Sequence, residues 1–131
     1  QEQTYTISEL AREFGITPRA IRFYEDEGLL APARAGRQRI YEKRDRTRLS
    51  LILRGKRLGL SLAEIFELLG MYDGARNSAL QLQRFLAVLA ERRRVIEQQR
   101  EDIVAVLGEI DRLENQCMHL LAGQSDGAEQ P

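Results

Sequence analysis

The side chains in this chain best placed for chemistry are arginines and aromatics gathered in one short segment. "TPRAIRFYEDEGLL", Thr17 to Leu30, carries Arg19, Arg22, Phe23 and Tyr24 within about two helical turns. On a helical wheel Ala20, Ile21 and Tyr24 turn inward with Gly28, while Thr17, Arg19, Arg22, Phe23 and Asp26 turn outward. Two guanidiniums and a ring on one exposed face suit a phosphate-lined groove. Arginine pairs bidentately with guanine or phosphate, and aromatic rings pack on sugars and thymine methyls. The plainer alternative is that Arg22 pairs with Asp26 one turn on, contributing a few tenths of a kcal/mol. The basic block that follows favours nucleic acid. Between Arg34 and Arg57 ten cations meet only Glu42 and Asp45, a local excess of eight positive charges of the kind phosphate contact requires. The acids Glu25, Asp26 and Glu27 remain awkward, because they oppose the macrodipole at a helix C-terminus.

Other chemistries lack their parts. The chain holds one histidine and one cysteine, with no phosphate-binding glycine loop and no nucleophile–histidine constellation, which argues against an enzyme and against a bound cofactor. Cys117 and His119 supply two metal ligands at best, where a structural zinc site uses four, so they are weak candidates. A single cysteine excludes an intramolecular disulfide framework and fits a reducing cytoplasm. No apolar run approaches the roughly 20 residues of a membrane span. Across 131 residues the 20 basic and 20 acidic side chains cancel. Global charge therefore says nothing about a polyanionic partner, and the local block carries that argument.

The elements that would hold these residues are legible from caps. Thr6–Glu9 and Ser61–Glu64 read as capping boxes, and Ser78–Gln81 as another. Thr17 precedes Pro18, a proline suited to the first helical position. Asp45 is expected to cap a helix whose apolar stripe is Leu49, Ile52 and Leu53. With Gly15, Gly28, Gly59 and Gly70 as stops, five helices are predicted, over about 6–14, 17–27, 45–58, 61–69 and 78–121. The first two, joined at Gly15, form a helix-turn-helix with the second as reading helix. Alternation of Arg37, Arg39 and Tyr41 with Gln38 and Ile40 around Gly36 suggests a small two-stranded wing over 31–41. Arg54, Lys56 and the backbone amides at Ser61 are placed to hold a second stretch of phosphates.

From Leu82 a heptad runs unbroken through Phe85, Leu89, Arg92, Ile96, Gln99, Ile103, Val106, Ile110, Leu113, Cys117 and Leu120. Ten of these twelve positions are apolar, the signature of a coiled coil. A helix of roughly 60 Å outruns the small N-terminal part, so its seam needs a partner, and the simplest is a second copy. Antiparallel pairing would bring Arg92 and Gln99 together near the middle. The fold class expected is mainly α. A winged helix-turn-helix domain (5–70), a linker (71–77), a dimerisation helix forming an antiparallel coiled coil (78–121) and a disordered tail (122–131) follow in order.

"YTISELAREFGITPRAIRFYEDEGLLAP", "RIY", "RLSLILRGKRLGLSLAEI" and the terminal coiled coil together resemble the MerR family of bacterial transcription regulators, over Tyr5 to about Leu120. "LILRGKRLGLSLAE" and "MYDG" are most similar to the branch that regulates leucine/isovalerate and related acyl-CoA degradation. The resemblance implies a homodimer on a pseudo-palindromic promoter, bending and untwisting an overlong spacer so that RNA polymerase can engage. It assigns DNA contacts to Arg19, Arg22, Tyr24, Arg39, Tyr41 and Lys56, and implies an effector such as an acyl-CoA near the linker. The wing departs from the family's usual Asn-Gly-Tyr-Arg-x-Tyr, reading "AGRQRIY" with an extra Arg37. Metal-sensing members carry cysteines at the start of the long helix, where this chain has Asn77, Ser78 and Ala79. A metal-responsive regulator, a plain repressor and an architectural DNA-binding protein are the alternatives.

Overall fold

A computed structural model describes residues 3–74 and 78–129. In chain order these form β1 (Thr4–Tyr5), α1 (Ile7–Phe14), α2 (Pro18–Asp26), β2 (Ala33–Ala35), β3 (Gln38–Glu42), α3 (Lys43–Leu58), α4 (Leu62–Asp73) and α5 (Ala79–Glu129). The architecture is mostly helical, a winged helix-turn-helix followed by a long helix. Two compact units divide it, one running through Arg92 and the other beginning at Arg93.

Caps start the short helices where the residues require. Thr6 Oγ1 accepts the Glu9 amide at 3.1 Å, while the Thr6 amide donates to Glu9 Oε1 at 2.8 Å. Thr17 Oγ1 accepts from the Ala20 amide at 3.1 Å ahead of Pro18. Each such cap stabilises its helix by about 1 kcal/mol. Between α1 and α2 the chain turns at Gly15, whose φ of 67° lies in the left-handed region that residues with a Cβ rarely adopt.

Leu10, Ala11, Ile21, Tyr24, Leu29 and Leu30 from the helix-turn-helix meet Tyr41, Leu49, Ile52, Leu60, Ile65 and Leu69 in one core. Burying each large aliphatic side chain contributes about 1.5–3 kcal/mol. α3 and α4 pack closely at Gly55, where a Cβ would stand 2.9 Å from Ile65 Cγ1. The wing is larger than expected: an antiparallel sheet in the order β1-β3-β2, with Ala35 opposite Gln38 and Gly36-Arg37 as the turn. β1 is two residues long, too short for periodicity to reveal.

Four expectations need correction. α3 starts at Lys43, and Asp45 stands one turn inside it, accepting the Glu42 amide at 2.8 Å. α4 runs through Gly70 to end at Gly74 (φ 73°). An interior glycine costs about 1 kcal/mol, and the last turn is held by Arg44 and Arg48 pairing with Asp73. The expected linker is therefore helical at Met71–Asp73, and its residues 75–77 lie outside those described. α5 continues through 122–129, where a disordered tail was expected, because no proline interrupts it before Pro131; 130–131 lie outside the described residues. Lastly, two seam positions serve their own unit. Phe85 is 3% exposed in the core, and Arg92 Nε donates to the Leu58 carbonyl at 2.8 Å. Arg92 is thereby engaged at the end of α3.

The second unit has no interior of its own. Among its described residues none is buried, and Ile103, Val106, Leu113 and Leu120 are each more than half exposed. Val104, Leu107, Met118 and Leu121 widen that apolar surface beyond the strict seam.

Tyr41 is fully buried and its hydroxyl has no hydrogen-bond partner among the described residues. Burial pushes its pKa up to about 12. An unpaired buried hydroxyl costs about 1–3 kcal/mol, so Tyr41→Phe is expected to raise the urea midpoint by about 1 kcal/mol of stability with the m-value unchanged. A lower midpoint would show that the hydroxyl is satisfied in solution.

Candidate nucleic-acid interface

α2 presents the face that its sequence pattern describes. Thr17, Arg19, Arg22 and Asp26 are exposed, Phe23 is 46% exposed, and Ile21 and Tyr24 are buried. Arg19 and Arg22 make no ion pair or hydrogen bond among the described residues; in particular, Arg22 does not pair with Asp26. The guanidinium N–H groups on this face are free for an external acceptor.

The basic block is only half available. Arg34 and Arg39 both bind Glu25, Arg44 and Arg48 both bind Asp73, and Arg46 binds Glu13 in a forked contact. That leaves Arg37, Lys43, Arg54, Lys56 and Arg57 without an ionic partner among the described residues. Lys56 lies over the Tyr24 ring, its Nζ 5.9 Å from the centroid, which joins the end of α3 to the base of the reading helix. Among the described residues of the first unit, the cations without an ionic partner that fall in the helix-turn-helix, the wing and α3 are thus Arg12 on α1, Arg19 and Arg22 on α2, Arg37 at the wing turn, Lys43 at the start of α3, and Arg54, Lys56 and Arg57 near its end.

Charge shifts follow the pairing. The hydrogen bond from Arg46 holds the Glu13 carboxyl below its ordinary value, and the bond to Glu25 raises Arg39. Burial pushes Asp73 up, but the hydrogen bonds and charges of Arg48 and Arg44 more than offset it, and the net shift is down.

Four of the sequence-predicted contacts are buried or otherwise engaged. Tyr24 is 2% exposed and Tyr41 is wholly buried, because i and i+3/i+4 from Ile21 and the inward side of β3 both face the core. The amide of Ser61 is already given to Glu64 Oε1 at 2.8 Å, and its hydroxyl accepts from the Glu64 amide at 3.1 Å. Glu64 therefore stands where a phosphate was expected. Arg39 points at Glu25, with its side chain 22% exposed. Cys117 is exposed on α5, and His119 sits with Asn115, Met118 and Ala122 along the same helix. Among the described residues no group of three or more His, Cys, Asp or Glu side chains is arranged to hold a metal ion, and no helix is long and apolar enough to cross a membrane. Sequence reasoning missed the pairing roles of Glu13, Glu25 and Asp73; Glu13 and Asp73 signalled only as acids outside the basic block, and Glu25 only as an acid opposing the macrodipole of its helix.

The comparisons with known proteins agree with this geometry. The model of the MerR HTH family regulatory proteins matches residues 5–71, and the model described as MerR, DNA binding matches 46–113. The chain belongs to the MerR family. It is a DNA-binding transcription regulator of that family, whose members are regulators and not enzymes. The HTH-type transcriptional regulator CueR of Escherichia coli O6:H1 is 33% identical over 114 residues, 85% of this chain and 82% of that one. The crystal structure of a MerR family transcriptional regulator from Bacillus cereus superposes with a TM-score of 0.64 at 31% identity, covering 84% of this chain and 79% of the other. HiNmlR, a MerR family regulator lacking the sensor domain and bound to promoter DNA, matches with a TM-score of 0.61 at 25% identity, over 80% and 79%. Within the MerR family the narrower leucine/isovalerate likeness finds no counterpart among these relatives.

Asp73 gives a pH test. Its carboxyl titrates below 3.8 in the folded chain, so the stability it contributes is present above that value and is lost as pH falls through the lower folded one. Asp73→Asn should be less stable than the parent at neutral pH by under about 1 kcal/mol, since the group is partly solvated. In urea titrations the gap should close as the pH falls through the depressed folded value. A gap independent of pH would assign the loss to something other than charge.

Proposed function

We propose that this regulator binds a pseudo-palindromic promoter as a homodimer, with α2 of each copy in a major groove and the wing on the neighbouring backbone. The carrying observation is the free outward face of α2, where Arg19 and Arg22 are unpaired and Phe23 is exposed while neighbouring arginines are spoken for. Arg37, Arg54 and Lys56 supply phosphate contacts that set orientation without reading sequence. The bare apolar surface of the second unit supports dimerisation through an antiparallel coiled coil. On an overlong spacer such a dimer bends and untwists the duplex, and RNA polymerase engages the realigned elements. The likeness of "LILRGKRLGLSLAE" and "MYDG" to regulators of leucine/isovalerate and related acyl-CoA degradation supports an acyl-CoA as effector, acting near the linker.

The parts are separable by mutation. Arg19→Ala and Arg22→Ala should weaken binding to the selected operator by about 1–3 kcal/mol with little change on random duplex. Lys56→Ala should weaken both alike and lower the salt slope by about one. Equal loss on both DNAs for Arg19→Ala would end the reading-helix assignment. Transcription from the target promoter with the purified protein distinguishes activation from plain repression. Sedimentation of the full chain at micromolar concentration should give a dimer, and a monomer would remove the coiled coil.

A further inference from the structure

We propose that Glu25 is a positioning residue that locks the wing to the reading helix and thereby determines how sharply the protein separates its operator from other DNA. This rests on the DNA-binding reading above and concerns a residue with no part in the contact surface itself.

Arg34 and Arg39 are direct partners across the β2–β3 ladder. Two guanidiniums opposite each other repel and by themselves destabilise the hairpin. Glu25, in the last turn of α2, answers both with one carboxylate: Arg34 Nη2 donates to Oε1 at 2.8 Å and Arg39 Nε to Oε2 at 2.5 Å. The Glu25 side chain is 16% exposed and that of Arg39 22%, so this charge-assisted bond is shielded from water and salt to a degree that an open surface pair is not, while Arg34, 49% exposed, closes the clamp from the solvent side. The placement is unfavourable locally, because an acid at a helix C-terminus opposes the macrodipole. The two arginines are what offset it.

β2 shows why the clamp matters. Ala33, Arg34 and Ala35 are all exposed, so that strand has no buried side chain to hold it. It is tied on one edge by the β3 ladder and to α2 through Glu25 alone among the ion pairs of the described residues. Without the clamp the wing and the reading helix become two loosely joined contact elements, and the advantage of presenting both together falls. Arg34 and Arg39 are released at the same time, and free guanidiniums serve any phosphate. Specific binding declines as non-specific binding rises.

The test uses the full chain, an operator selected by the parent protein from a random-sequence duplex library, and a scrambled duplex of equal length. Glu25→Gln keeps the shape and removes the charge. Its ratio of operator to scrambled affinity should fall roughly tenfold or more. Its salt slope on the scrambled duplex should steepen by about one to two, for up to two new phosphate contacts. Adding Arg34→Gln to Glu25→Gln should return part of that slope without restoring the ratio. A purely structural role would lower both affinities together with an unchanged slope and a reduced melting temperature, and that result overturns the proposal. So does an unchanged ratio. Glu25→Asp, which keeps the charge but shortens the reach, should lie between parent and Glu25→Gln; if it equals Glu25→Gln with both melting like the parent, the clamp geometry still stands and charge alone is excluded as the cause. If the parent itself selects no operator, the DNA-binding reading has failed and not this residue's role.

Discussion

A guanidinium N–H that holds a carboxylate is not free for a phosphate, and the ion pairs of Glu13, Glu25 and Asp73 therefore decide what this unit can touch. Each acid comes from one element and takes arginine from another: α1 to α3, α2 to the wing, the end of α4 to the start of α3. The same bonds that join the elements subtract charge from the basic block. Most of what remains uncompensated among the described residues of these elements lies on α2, at the wing turn and toward the end of α3, with Arg12 on α1 and Lys43 at the start of α3 besides. Exposed ion pairs stabilise a fold little, so their more telling effect here is allocation, deciding which cations face outward unpaired.

Local rules accounted for most of the fold. Thr6, Thr17 and Ser61 start their helices as capping chemistry requires, and the wheel turned Ile21 and Tyr24 inward and Thr17, Arg19, Arg22, Phe23 and Asp26 outward as they stand, while Gly28, expected inward, lies past the end of the helix and is exposed. Those features depend on neighbours three or four residues apart, which a sequence displays. Boundaries set by distant contacts were not legible. Gly70 looks like a stop, yet the helix continues because Asp73 is anchored by arginines about 25 residues earlier. β1 exists only because β3 offers it a ladder.

The candidate site was legible in composition and less so in availability. A basic block reads the same whether its arginines are free or paired, and nothing local links Glu25 to Arg34 or Arg39. The aromatics misled for a related reason. Tyr24 and Tyr41 carry hydroxyls that could meet phosphate, but period and pleat turn both rings into the core. The acids of "EDE", which looked misplaced at a helix end, divide by direction: Asp26 and Glu27 face solvent, while Glu25 turns to the wing.

The long helix shows the same division along its length. Up to Arg92 it belongs to the first unit, with Phe85 in the core and Arg92 capping the carbonyl of Leu58. Beyond that point its described residues bury nothing, and a helix gains most of its stability from a packed apolar face. Pairing with a second copy would bury Ile103, Val106, Ile110 and Leu113 at about 1.5–3 kcal/mol each, against an association cost of roughly 4–15 kcal/mol. No single residue can offset that cost, whereas a seam of several together with the flanking Val104 and Leu107 can. Dimerisation and the order of this segment are then one equilibrium, and the stability of the second unit depends on protein concentration in a way that the first unit, with its own core, does not.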